Sequence, residues 1–140
     1  MKPINSDASK TIFSGAEYLA FPVSDNVRTY ANGDIKIMHL NTYFEPAGGA
    51  SSLMVIYPRK NDNYPHARII SLSDSVRFSY IYLSQAKSAY DPATGLKLTI
   101  PVSIFDGATD EFVMRNLTFT INQASEEIIV EELTRFSAPT

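Results

Sequence analysis

Along much of this chain the apolar residues fall at every second position. The clearest stretch is 96–105, where Leu96, Leu98, Ile100, Val102 and Ile104 alternate with Lys97, Thr99, Pro101 and Ser103. An extended backbone turns successive side chains to opposite faces, so this pattern predicts strands with one buried face. Shorter runs at 17–23, 27–30, 34–43, 52–57, 67–72, 75–83, 112–121 and 126–133 read in the same way. Turn chemistry separates them. Asn32-Gly33 supplies the positive φ of a tight hairpin between 27–30 and 34–43. Glu45-Pro46-Ala47-Gly48-Gly49, Asp91-Pro92-Ala93-Thr94-Gly95 and Asp106-Gly107 break the pattern at other points. Pro101 lacks an amide donor, which predicts an edge position or a bulge in its strand. Within 75–83, alternation puts Val76, Phe78, Tyr80 and Tyr82 on one face and Arg77, Ser79, Ile81 and Leu83 on the other. The one stretch with helical character is 84–90.

This pattern predicts an all-β domain: an antiparallel β-sandwich, jelly roll or small β-barrel of about eight or nine strands, with at most one short helix. Several strands, 52–57 above all, are apolar on both faces. Either a second sheet or another copy of the chain is then needed to cover them, and a homo-oligomer is the expectation.

Length and charge narrow the picture. The chain has 140 residues, the size of one domain. Its expected division is a polar N-terminal arm (1–11), a single β domain (12–135) and a short tail (136–140). A net charge of −3, with the basic residues scattered, argues against a nucleic-acid partner. The absence of cysteine removes disulfides, thiolate metal sites and cysteine nucleophiles. No apolar run approaches the roughly 20 residues needed to span a bilayer, and no leader-like segment opens the sequence, so the expectation is a soluble cytoplasmic protein with no membrane partner.

Candidate chemistry centres on Gly33, His39, Asn41 and Glu45. His39 and Asn41 are two positions apart on one strand and would share a face, with the Glu45 carboxylate following in the next loop. This spacing resembles the first half of the cupin motif, in which imidazoles and a carboxylate from one strand and its loop hold a metal ion. The resemblance covers about a tenth of the chain and implies a small metal-dependent barrel enzyme, with His39 and Glu45 as candidate ligands. The chain departs from it in having Asn41 in place of the second histidine and Ser52 where a glycine is expected. Tyr64-Pro65-His66 offers a second histidine and a tyrosine in a polar loop. No Ser occupies a Gly-x-Ser-x-Gly turn, which disfavours a hydrolase triad. Asp106, Asp110 and Glu111 read as turn chemistry, and Glu126, Glu127, Glu131 and Glu132 as charges that keep an apolar strand from pairing further. The tyrosines, Tyr30, Tyr80, Tyr82 and Tyr90 among them, could pack in the core or present flat surfaces to a sugar or a protein.

The leading expectation is a non-enzymatic β module that binds a ligand or a protein, or assembles into a larger oligomer, with no cofactor. Its contact residues would include His39, Asn41, Glu45, Tyr64 and His66, and small-molecule, glycan and protein partners all remain open.

Overall fold

A computed structural model describes residues 1–7, 19–20, 22–41, 49–73 and 76–136. These form β1 (Ile4–Asp7), a one-turn helix α1 (Val23–Asn26), β2 (Val27–Tyr30), β3 (Ile35–Asn41), β4 (Ser51–Tyr57), β5 (His66–Ser71), β6 (Tyr80–Ile81), β7 (Lys87–Asp91), β8 (Gly95–Asp106), β9 (Glu111–Asn122), β10 (Glu127–Val130) and β11 (Thr134–Arg135). Every strand pair is antiparallel. One sheet runs β1-β5-β4-β3-β2. In the other, the long β8–β9 hairpin is flanked by β6 and β7 on the β8 side and by β10 and β11 on the β9 side.

The two sheets pack face to face, as an all-β sandwich requires. Ile35 and Ile37 of β3, Leu53 and Val55 of β4 and Ile70 of β5 meet Leu98, Ile100 and Val102 of β8 and Leu117, Phe119 and Ile121 of β9 in one buried cluster. These positions are the period-two residues of the sequence. Burying each such side chain contributes roughly 1.5–3 kcal/mol. Leu40, Met54 and Ala67 form a second cluster on the other face of the first sheet and are themselves buried within the chain, so that face is already covered there.

The sheets are also stitched together. Ser51 and Phe78 exchange two backbone hydrogen bonds of 2.8 Å, after which Tyr80–Ile81 pairs with β8. The segment from Phe78 to Ile81 therefore leaves the first sheet for the second. At another edge Leu133 N–H donates to Met1 O (3.0 Å). Near β2, the Arg28 guanidinium donates through Nη2 to Ser84 O (2.6 Å).

There are eleven strands among the described residues, where the sequence pattern predicts eight or nine. The excess comes from places where pairing overrode local pattern. Ile4–Asp7, within the stretch read as an arm, lies along β5. The predicted 126–133 strand ends at Val130 as β10, and a separate short strand, β11, follows beyond it at Thr134–Arg135. The helix predicted at 84–90 is absent: a 3-10 turn at Leu83–Gln85 leads into β7, which pairs with β8 from Lys87↔Thr99 to Asp91↔Gly95. A two-turn helix is marginal in water, and the open side of β8 offers ladder bonds instead. The strict face assignment at 75–83 also gives way. Phe78, Ile81 and Leu83 are all buried while Val76 is exposed, because the chain changes sheets there. The 17–23 strand falls largely outside the described residues. Within it Leu19 bridges Leu40, and Pro22 precedes α1.

Pro101 sits inside β8, paired with Asn116 of β9. A residue's N and O point to the same side of an antiparallel strand, and Pro101 O accepts from Tyr82 N–H (2.9 Å). The missing donor therefore faces the point where β6 ends and the Leu83–Gln85 turn begins. The interruption expected of a strand proline lies in the neighbouring strand.

At the Asp91–Gly95 turn, Asp91 Oδ1 accepts from Ala93 N–H (2.8 Å) and Gly95 has φ +107°. A Cβ at Gly95 would lie 2.2 Å from Ile121 O, whereas at Gly33 (φ +90°) it would meet nothing within 4 Å. Gly95→Ala is therefore expected to lower stability by about 2 kcal/mol or more, and Gly33→Ala by about 1 kcal/mol. Urea unfolding followed by circular dichroism checks the order; equal losses would contradict it.

Candidate functional site

His39 continues the inward face of β3 beyond Ile35 and Ile37, and it is completely buried. Burying an imidazole calls for partners on both nitrogens. Nδ1 lies 2.8 Å from Asn26 Oδ1 and Nε2 lies 2.7 Å from Ser51 Oγ. The direction of these bonds follows from their far end. Pro22 O can only accept, and it takes a hydrogen bond from Asn26 Nδ2 (2.9 Å). The Asn26 oxygen is thereby turned to His39 and accepts from Nδ1–H, which leaves Nε2 to accept from the Ser51 hydroxyl. The Tyr80 ring stands edge-on to the imidazole, with centroids 4.8 Å apart. Burial pushes the His39 pKa down from 6.5 to about 4, and the ring is neutral at pH 7.

Ser51, His39 and Asn26 thus form a hydrogen-bonded row that resembles a nucleophile, base and orienting group in order. Ser51 and His39 are both 0% exposed, so no substrate reaches the hydroxyl in this arrangement. The row ties α1, β3 and the start of β4 together beside the Ser51–Phe78 stitch.

Among the described candidates, Tyr64 and His66 lie apart from His39. Asn41 ends β3 opposite Ser51, while Glu45 lies outside the described residues. His39 pairs with Leu53 and His66 with Tyr57, so four residues of β4 separate them, roughly 13 Å along the strand. Tyr64 stands 76% exposed in the loop before β5. His66 stacks on Tyr57 (4.7 Å between centroids), and its Nε2 lies 3.4 Å from Glu126 Oε1. That carboxylate also accepts from Lys60 N–H (2.7 Å), a bond that holds its pKa below the ordinary range. Tyr57 donates to Glu126 O (2.9 Å), and Lys60 Nζ to Ala124 O. These contacts fasten the β9–β10 turn to the first sheet. Among the described residues no three His, Asp or Glu side chains are placed to hold a metal ion.

A cleft of about 480 Å³ opens at one end of the sandwich. Ile35 from the first sheet and Leu96 and Ile121 from the second form its inner walls, and Tyr30, Tyr90 and Asn122 stand around them. The volume lies within the roughly 300–1,000 Å³ of small-molecule sites. Tyr90 is 73% exposed on the inward-facing side of β7, while burial raises the Tyr30 phenol pKa and keeps it protonated. The sequence marked both tyrosines as possible contact surfaces, but reading 84–90 as a helix hid the fact that Tyr90 faces the same way as Leu96. The directly paired Tyr90↔Leu96 position is the signal that carries it.

No family model matches the chain, and no curated protein and no solved structure matches it. No helix among the described residues is long and apolar enough to cross a membrane.

The His39 pKa generates a pH prediction. With a folded value near 4 and an unfolded value near 6.5, the unfolded chain takes up the proton first as pH falls. Stability from this group is complete above pH 6.5, declines between 6.5 and 4, and is level below 4, for a total loss of about 3 kcal/mol. In His39→Gln, which keeps an amide donor and acceptor but no titration, that decline is expected to disappear. Urea unfolding of both proteins at pH 7 and pH 4 measures it; equal pH dependence would contradict a buried neutral imidazole.

Proposed function

We propose that this chain is a non-enzymatic β-sandwich binding module that receives a small, partly apolar ligand in the inter-sheet cleft. The observation that carries the reading is the cleft itself, with Leu96, Ile121 and Ile35 at its base and two tyrosines at its mouth. Aromatic rings there offer apolar area while their hydroxyls remain able to bond, the usual composition of a site that orients a ligand by few polar contacts. Asn122 adds a polar group on the rim. The burial of Ser51 and His39 supports the non-enzymatic half, since the row with the most catalytic look has no route to a substrate. The assembly half is supported by the tip of the β8–β9 hairpin, where Phe105 (38% exposed) and Phe112 (58% exposed) pack edge-on at 5.4 Å and present a paired apolar surface to a second copy.

A thermal-shift screen of small aromatic and aliphatic compounds tests the cleft. A hit is expected to stabilise the wild-type chain and to lose at least about tenfold in affinity in Leu96→Trp, whose larger ring fills the space. No stabilising compound, or hits indifferent to Leu96→Trp, would count against the cleft. Size exclusion with light scattering reads the assembly half in the same samples, and a monomer at every concentration would remove it.

A further inference from the structure

A second concavity lies away from the cleft, between α1 and the segment where the chain changes sheets. It encloses about 440 Å³ and is lined by Pro22, Asp25, Asn26, Tyr80, Tyr82 and Ser84, among others. Its floor is rigid. Asn26 is 2% exposed, with its oxygen held by His39 and its nitrogen by Pro22 O. Tyr80 is braced edge-on against His39, and the Tyr82 ring follows at 5.0 Å, inclined by 58°. The rim differs from the floor. Through their side chains, Asp25, Ser84 and the hydroxyls of Tyr80 and Tyr82 make no hydrogen bond to another described residue, and Asp25 and Ser84 are exposed.

We propose that this groove binds a neutral sugar ring. A pyranose has one face of C–H groups and an equator of hydroxyls. Two inclined tyrosine rings give the C–H face a surface that is apolar and electron-rich. An exposed carboxylate accepts from two neighbouring hydroxyls at once, and charge-assisted bonds of this kind are among the stronger ones. Ser84 and the tyrosine hydroxyls both donate and accept, as sugar hydroxyls do. The Arg28 guanidinium, which donates to Ser84 O, balances the Asp25 charge at the rim, which leaves no net positive charge to select a phosphorylated or acidic sugar. The groove also supplies a reason for the buried His39 row, which sets the position of Asn26 and Tyr80 beneath the ligand.

Saturation-transfer NMR with the methyl pyranosides of glucose, galactose, mannose and N-acetylglucosamine tests the proposal on the whole chain. At least one sugar is expected to receive transfer on its ring protons. Its affinity is expected to fall about tenfold or more in Tyr82→Ala and in Asp25→Ala, and to stay unchanged in Leu96→Trp, which alters only the cleft. Asp25 is exposed, so its variant reports even if Tyr82→Ala fails to fold. Lack of transfer to all four sugars, or binding unaffected by Asp25→Ala, would overturn the assignment. A sugar lost only in Leu96→Trp would also overturn it, while supporting the cleft.

Discussion

Each sheet of this protein turns an apolar face toward the other, and these two faces leave water together only by pressing against each other. That requirement explains most of what the chain does. It sets the register of β3 against β4 and β8 against β9, because a slip of one residue would turn Ile37, Val55, Ile100 and Phe119 outward together. It also explains why both concavities lie where strands diverge or cross over. The core is packed where the two sheets face each other squarely, and these two spaces open at the end where Tyr30 and Tyr90 part and beside the crossover at Tyr80.

His39 is the polar exception within that frame. Its ring occupies a position that alternation assigns to an apolar residue, and Asn26 and Ser51 make it tolerable there. An unsatisfied buried polar group costs about 1–3 kcal/mol, so the row specifies where α1 and the β3–β4 end must sit as much as it stabilises them. The same three residues would suit catalysis on a surface. Here Ser51 and His39 are both buried.

Strand identity was legible where one face is buried along the whole element. Residues 96–105 and 112–121 became β8 and β9 with their ends moved by a residue, and the Asn32-Gly33 hairpin stands between β2 and β3. Legibility failed where the deciding partner is remote. β1 is polar and exists because β5 has an unpaired side. Lys87–Asp91 is exposed throughout and has no alternation to read, so only β8 makes it a strand. The site was less legible for the same reason. His39 carried its signal as a histidine at an inward position, but its partners are 13 and 12 residues away on other elements. The tyrosines that line the two concavities were visible as residues and not as neighbours.

The central claim is that the alternating residues of the two sheets meet in one shared core. Methyl-labelled NMR tests it most directly, through nuclear Overhauser contacts between Ile35, Ile37 or Val55 on one side and Leu98, Ile100 or Leu117 on the other. Cross-sheet contacts among these methyls are the predicted result. Contacts confined to neighbours within each sheet would contradict the account.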